Sequence, residues 1–92
     1  MKDNLKYSIV VPTYNEEKDI EETIKYLLSM KYDNYDVIIV DDSNDNTPNI
    51  IKKYASDKLK LIIPKVRKGR SEARNIGIKA SECDEVVILN AD

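Results

Sequence analysis

Short apolar runs alternate along this chain with segments in which apolar residues recur at helical spacing. The clearest run is Val37-Ile38-Ile39-Val40, four β-branched residues without a polar interruption. Such a run is typical of a strand buried on both faces, as in the centre of a parallel sheet. Three further runs predict strands: Tyr7–Val11, Leu59–Ile63 and Glu85–Leu89. Pro12 and Pro64 are expected to end the first and the third strand.

Helical periodicity lies between the predicted strands. The first helix has its apolar residues at i, i+4, i+7 and i+8, namely Ile20, Ile24, Leu27 and Leu28. This spacing predicts a helix that runs to about Met30, and Asn15 is able to cap its start.

Two more helices follow. Thr47-Pro48 predicts a helix start with a hydroxyl cap and a proline at the first position. Its predicted buried face consists of Ile50, Ile51, Tyr54 and Ala55. A third helix is predicted to begin at Ser71, and small residues such as Ala73, Gly77 and Ala80 would let it pack close to a sheet.

The order is therefore strand then helix, three times, and a final strand. Because crossovers between parallel strands are right-handed, this order predicts a four-stranded parallel sheet with helices on both faces. The fold class is α/β, with three layers (α/β/α).

Composition narrows the classes of function. The chain has 92 residues and a net charge of −2, which predicts a single domain and argues against nucleic-acid binding. No apolar run reaches the roughly 18 residues of a membrane span. The single Cys83 excludes an internal disulfide and predicts a reducing, cytoplasmic location. With no histidine, any metal would be held by oxygen ligands, as Mg²⁺, Mn²⁺ or Ca²⁺ are.

Polar side chains follow three of the strands at the edge where all carboxyl ends of a parallel sheet meet. They are Thr13, Tyr14, Asn15 and Glu16 after the first strand, Asp41 and Asp42 after the second, and Asn90 and Asp92 after the fourth. The basic segment 65–70 follows the third strand. Carboxylates opposite a basic loop fit a phosphorylated ligand held in part through a divalent cation. The alternative is that these groups only solvate turns or cap helices.

The common phosphate-binding motifs are absent from the sequence. No G-x-G-x-x-G follows the first strand, which disfavours dinucleotide binding of the Rossmann type. No G-x-x-x-x-G-K-[ST] occurs, which excludes a P-loop. A phosphate would therefore have to meet a metal ion or the basic segment.

Four motifs follow one another along nearly the whole chain. They are Val10-Val11-Pro12-Thr13-Tyr14-Asn15-Glu16-Glu17, Ile39-Val40-Asp41-Asp42-Ser43 with Asp45 and Thr47, Gly69 with Ala73-Arg74-Asn75-Ile76-Gly77, and Leu89-Asn90-Ala91-Asp92. In their order and spacing they resemble the family 2 glycosyltransferases, which are inverting, nucleotide-sugar-dependent enzymes with the GT-A fold. The resemblance implies the Rossmann-like, nucleotide-binding half of that fold, with strand order 3-2-1-4.

The resemblance also implies roles at the matching positions of the first two motifs. Pro12, Tyr14 and Glu16 would line the nucleotide pocket, with Tyr14 beside the base. Asp42 resembles the carboxylate that hydrogen-bonds the base or its ribose.

The remaining implied site residues lie late in the chain. Lys68 and Arg70 lie where the family often places basic contacts. Asn90, Ala91 and Asp92 stand where the family has its D-x-D motif, with Asn90 in place of the first aspartate. Asp92 would then bind the divalent metal, Mn²⁺ or Mg²⁺, that bridges the diphosphate.

We interpret residues 1–92 as a single truncated nucleotide-diphospho-sugar-binding domain, the donor-binding part of an inverting glycosyltransferase. The expected partner is a UDP- or GDP-linked sugar, and no nucleic acid is expected. No residue here is a candidate for the catalytic base, which is expected beyond residue 92, so the isolated fragment is expected to be inactive. Whether the full-length protein associates with a membrane stays open.

Two alternatives remain. One is a non-catalytic nucleotide-binding or self-associating module with the same fold. Independently of this choice, truncation after the fourth strand predicts self-association through Val86–Leu89 of that exposed strand, as a two-fold homodimer. The other alternative is a nucleotidyltransferase. Its usual glycine-rich, lysine-containing first loop is replaced here by Pro12-Thr13-Tyr14-Asn15, which counts against it.

Overall fold

Strands and helices alternate along the chain as the sequence predicts. The computed structural model describes residues 5–64 and 69–89, and within them seven elements follow one another. They are β1 (Tyr7–Thr13), α1 (Ile20–Leu28), β2 (Tyr35–Asp41), α2 (Thr47–Lys52), β3 (Leu59–Ile62), α3 (Gly69–Ala80) and β4 (Glu85–Ile88).

The four strands form one parallel sheet in the order β3-β2-β1-β4. β1 pairs with β2 along its whole length, so that Thr13 lies opposite Asp41. On its other side it pairs with β4, and Val10 lies opposite Ile88. All seven residues of β2 are buried. The predicted strand order and the predicted central, doubly buried strand are both confirmed.

The helices cover both faces of the sheet. Successive side chains of a strand point to opposite faces, so the apolar strands here place an apolar cluster on each face. One apolar cluster lies under α1 and α2 and contains Ile9, Val11, Ile20, Ile24, Leu27, Val37, Ile39, Ile51 and Leu59. The other lies under α3 and contains Val10, Ile38, Val40 and Ala73. The predicted three-layer arrangement is confirmed.

The distance between α3 and the sheet is set at Gly77. A Cβ atom at this position would lie 2.4 Å from the Cγ1 atom of Val10, closer than real side chains approach. Ala73, one turn earlier, is also buried. The predicted close packing of small residues on the sheet is confirmed.

Pro12 does not end β1, contrary to the prediction. The strand continues to Thr13. Residues of a strand direct their backbone groups alternately to the two neighbouring strands. The Val10 carbonyl accepts a hydrogen bond from the Leu89 N–H on the β4 side. Pro12 faces the same side two residues later, beyond Ile88 where β4 ends, so its missing N–H removes no hydrogen bond from the described sheet.

Two predicted caps are wrong, because both side chains bond to a different loop. α1 begins at Ile20 with Asp19 at its N-cap, and Asn15 lies well before it. α2 begins at Thr47, but its N-cap is Asn46 and the Thr47 hydroxyl is used elsewhere.

Other boundaries shift by one or two residues. α1 ends at Leu28, and α3 begins at Gly69 instead of Ser71. The third and fourth strands end at Ile62 and Ile88, one residue earlier than predicted. Ala55 is exposed, because it lies beyond the end of α2.

Within residues 5–64 and 69–89, every helix falls short of the length and apolar character that a bilayer crossing requires.

Candidate functional site

β1 and β2 end side by side at the carboxyl edge of the sheet. Thr13 lies opposite Asp41, and the Asp42 N–H donates to the Thr13 carbonyl at 3.1 Å. Two segments continue from there, loop 1 (residues 14–19) and loop 2 (residues 42–46). Their first residues, Tyr14 and Asp42, therefore leave the sheet from paired strands at the edge where open α/β sheets bind ligands.

Asp41 carries a buried carboxylate at this edge. It is fully buried, and its Oδ1 accepts hydrogen bonds from the Thr13 hydroxyl at 2.5 Å and the Ser43 hydroxyl at 2.7 Å. The Ser43 N–H lies 3.3 Å from Oδ2. A buried carboxylate needs such donors to offset its lost hydration. Asp41 therefore serves contacts inside the protein, whereas Asp42, the first residue of loop 2, is only half-buried.

Asn15 connects loop 1 to loop 2 in two ways. Its N–H donates to the Ser43 hydroxyl oxygen at 2.7 Å, and its side-chain oxygen accepts the Asn44 N–H at 2.9 Å. The backbone of Asn15 has a φ of 50°, in the left-handed region that asparagine tolerates better than most residues. This conformation replaces the predicted helix cap.

Thr47 makes a second connection between the loops. Its hydroxyl oxygen accepts the Glu16 N–H at 2.8 Å and donates to Asp45 Oδ1 at 2.5 Å. Asp45 also accepts the Thr47 N–H at 2.9 Å. Partial burial opposes the ionisation of Asp45, but these hydrogen bonds outweigh it and hold the pKa of Asp45 below its ordinary value.

A third connection joins the Asn46 N–H to Glu17 Oε1 at 2.9 Å. Together these bonds form what we call the loop clasp, made by Asn15, Glu16 and Glu17 of loop 1 with Ser43, Asn44, Asn46 and Thr47. Because three consecutive residues of loop 1 are bonded across to loop 2 and the start of α2, neither loop is positioned independently.

Tyr14 stands at the surface beside the clasp and is 46% exposed. It borders a shallow depression of about 600 Å³. The lining residues are Tyr14, Asn15, Glu16, Glu17, Lys18, Asp19 and Asp45. The structure thus brings Tyr14 and Glu16 of the predicted site into one depression. Pro12 lies buried in β1, and Asp42 lies at the start of loop 2 outside this lining.

Four predicted site residues, Lys68, Asn90, Ala91 and Asp92, lie outside the described residues, as does the side chain of Arg70. Their roles stay predictions. β4 is parallel to β1 and β2, so its carboxyl end points to the same edge of the sheet.

The predicted metal ligand, Asp92, lies outside the described residues. Among residues 5–64 and 69–89, no group of three or more aspartate, glutamate or cysteine side chains is arranged to hold a metal ion. The Asp41 carboxylate at the edge of the sheet already accepts hydrogen bonds from two hydroxyl groups and one N–H. The prediction of a bound metal ion therefore depends on Asp92 as its protein ligand.

Sequence reasoning missed the clasp, although its residue types carried a signal. Asn15 tolerates a left-handed backbone, and Ser43 and Asp45 are residues that bond to the backbone two positions away in turns. Which loop each side chain would bond to depends on the neighbouring strand, so the pairing could not be read from local sequence.

The fold is an α/β domain in which two cross-bonded loops meet at the carboxyl edge of the sheet. The family model described as "Glycosyl transferase family 2" matches residues 8–92. The chain therefore belongs to glycosyl transferase family 2, and the predicted family is confirmed.

Curated relatives are glycosyltransferases of greater length. The amylovoran biosynthesis glycosyltransferase AmsB of Erwinia amylovora is 34% identical over 97 residues, covering 100% of this chain and 32% of AmsB. The UDP-Glc:alpha-D-GlcNAc-diphosphoundecaprenol beta-1,3-glucosyltransferase WfgD of Escherichia coli is 31% identical over 91 residues, covering 98% of this chain and 36% of WfgD. The chain spans about a third of the length of each.

Solved structures share the fold. The mannosyltransferase PcManGT from Pyrobaculum calidifontis, in complex with GDP-Man and Mn²⁺, has a TM-score of 0.88 and 30% identity over 97% of this chain and 28% of PcManGT. TarS 1–349 of S. aureus, in complex with UDP-GlcNAc, has a TM-score of 0.87 and 33% identity over 96% of this chain and 27% of TarS. The predicted nucleotide-binding half of a GT-A glycosyltransferase is thus confirmed as the fold.

Proposed function

We propose that this chain forms the donor-binding part of an inverting glycosyltransferase, which moves a sugar from a nucleotide diphosphate sugar to an acceptor hydroxyl. One observation carries the proposal. Tyr14 and Asp42 leave paired strands at the carboxyl edge of the sheet, on loops that the clasp holds together. The relatives bound to GDP-Man and UDP-GlcNAc support the choice of ligand class.

The proposed contacts follow from the chemistry of the side chains. Tyr14 offers an aromatic face to the base, and Glu16 lines the same depression. Pro12 is buried in β1 and is therefore not proposed as a direct contact. Asp42 accepts hydrogen bonds from the base or the ribose. Lys68 and Arg70 supply positive charge for the diphosphate.

A divalent cation, Mn²⁺ or Mg²⁺, completes the proposed donor site. Asp92 is the proposed ligand, with Asn90 and Ala91 beside it. When bound, such an ion neutralises charge on the departing nucleotide diphosphate. A hard cation of this kind accepts one or two protein carboxylates together with phosphate oxygens. The Mn²⁺ in the PcManGT complex supports this part of the proposal.

Nucleotide titration of the 92-residue chain tests the donor site. Binding of UDP-GlcNAc or GDP-Man is measured by NMR or calorimetry. We expect the binding to be weak and to become tighter when Mn²⁺ is added. Asp42→Ala should weaken binding about tenfold or more, because a hydrogen bond to a charged group contributes about 1.5–3 kcal/mol. No turnover is expected from these residues alone, in line with the absence of a candidate base.

The matched control is Asp57→Ala, which removes an exposed carboxylate just before β3 at the opposite edge of the sheet. It should leave the affinity unchanged. Tight binding that is indifferent to Asp42→Ala would contradict the site assignment, and no binding of either nucleotide sugar would contradict the proposed function.

One observation favours the second candidate, a non-catalytic, self-associating module with the same fold. β4 is one of the two outer strands of the described sheet, and its end carries exposed apolar side chains at Val87, Ile88 and Leu89. An apolar edge strand of this kind pairs readily with another chain.

A further inference from the structure

Tyr14 is an exposed aromatic residue whose two neighbours in sequence are both anchored. The Thr13 hydroxyl donates to the buried Asp41 carboxylate at 2.5 Å. The Asn15 N–H and side-chain oxygen bond to Ser43 and Asn44 of loop 2. Because Thr13 and Asn15 are both anchored, the backbone of Tyr14 between them can adopt few conformations.

Ser43 is the residue through which these anchors meet. Its hydroxyl oxygen accepts the Asn15 N–H at 2.7 Å, while the same hydroxyl donates to Asp41 at 2.7 Å. Asp41 in turn accepts the Thr13 hydroxyl, so a chain of hydrogen bonds runs from one neighbour of Tyr14 to the other. Loss of the Ser43 hydroxyl would break this chain at its middle.

We infer that Ser43 and Asn15 are positioning residues of the donor site, which act by fixing the backbone of Tyr14 in the orientation that binds the ligand. The inference rests on the proposed function. An aromatic side chain that is already ordered loses less conformational entropy when a base packs against it. The left-handed backbone of Asn15 supports this role, because such conformations are maintained where the surrounding structure specifies them.

The experiment compares three serine variants of the 92-residue chain by NMR titration. The probe is UDP-GlcNAc or GDP-Man, whichever binds the wild type more tightly. Ser43→Ala should weaken binding about tenfold, the change that corresponds to about 1.4 kcal/mol. Ser43→Thr keeps the hydroxyl and should restore most of the affinity. The matched control is Ser29→Ala, which removes only a hydroxyl bond to the Tyr26 carbonyl at the end of α1 and should change nothing.

A double-mutant cycle separates positioning from a general loss of structure. If Ser43 acts through Tyr14, Ser43→Ala should weaken binding much less in a Tyr14→Ala background than in the wild type. Thermal unfolding of each variant fixes a temperature at which all of them are folded. If Ser43→Ala does not fold, Asn15→Gly takes its place, because glycine accepts the left-handed backbone without strain, lacks the side-chain acceptor for Asn44 and leaves the backbone next to Tyr14 freer.

The outcomes are distinct. Equal affinity in wild type and Ser43→Ala, or full additivity with Tyr14→Ala, would overturn the positioning role while leaving the donor site in place. A wild-type chain that binds neither nucleotide sugar would overturn the proposed function and the positioning role with it.

Discussion

Gly77 is the residue that sets how closely α3 approaches the sheet, and its replacement is the sharpest residue-scale test of the fold. Alanine is normally favoured over glycine within a helix by about 1 kcal/mol. At this position its Cβ would lie 2.4 Å from Val10, which is itself fully buried. We expect Gly77→Ala to lower the free energy of unfolding by about 1–3 kcal/mol, as overpacking of a core does. Urea unfolding of the wild type and of Gly77→Ala at neutral pH measures this difference in free energy.

Two further variants control this prediction. Lys79→Ala changes an exposed residue of the same helix and should alter stability little. Val10→Ala frees the space that the new methyl group needs, so Gly77→Ala should cost less in that background. A gain in stability from Gly77→Ala alone would show that the sheet can shift to accept the methyl group.

The residue scale also shows where sequence reasoning stops. The small residues of α3 were predicted to pack on the sheet, because glycine and alanine recur on one helical face. The adjacent carboxylates Asp41 and Asp42 could not be told apart in the same way. Asp41 is the last residue of the buried strand β2, and its carboxylate is bonded by hydroxyl donors on β1 and loop 2, partners that local sequence does not reveal.

At the scale of elements, α1 and the residues after α2 are joined by a hydrogen bond from the Tyr54 hydroxyl to the Glu21 carboxylate. This bond lowers the pKa of Glu21, helped by the positive charges of Lys25 and Lys53, and it raises the pKa of Tyr54. A carboxyl with a lowered pKa stabilises the fold above its unfolded pKa of about 4.3 and loses that contribution as pH falls. The tyrosine contribution is present below about pH 10 and is lost as pH rises further.

We therefore expect Tyr54→Phe to be slightly less stable than the wild type at neutral pH, and the difference to vanish at strongly acidic pH. Chemical unfolding at both pH values measures this. The matched control is Tyr26→Phe, because Tyr26 is a residue of α1 that is 70% exposed, and this variant should match the wild type at each pH. A Tyr54→Phe difference that is the same at both pH values would show that ionisation of Glu21 is not involved.

Element types were predicted better than element ends. The spacing of Ile20, Ile24 and Leu27 predicts the buried face of α1, and the uninterrupted apolar run of β2 predicts that this strand is buried on both faces. The predicted caps at Asn15 and Thr47 are wrong, because each residue type can cap a helix locally but bonds here to a loop that is distant in sequence.

At the scale of the whole molecule, the edge at β4 is the feature that predicts self-association. Val87, Ile88 and Leu89 are each more than a third exposed. We expect the 92-residue chain to form a concentration-dependent dimer, because exposed apolar edge strands pair with their like. Sedimentation velocity over a wide range of protein concentrations measures the fractions of monomer and dimer.

Val87→Lys should shift this equilibrium to monomer, since a charge on an edge strand opposes pairing. Ile63→Lys is the matched control, because Ile63 is also exposed but follows β3 on the other side of the sheet. A chain that sediments as a monomer at every concentration would contradict the prediction.

The loop clasp has a consequence for protein engineering. A chimera that exchanges loop 1 between two family members also exchanges the two side-chain acceptors, Asn15 Oδ1 and Glu17 Oε1, that bind N–H groups of loop 2. Grafting either segment by itself would leave mismatched contacts at the edge of the sheet. Altered donor preference is therefore best sought by transplanting both loops, together with the first residue of α2, as one cassette.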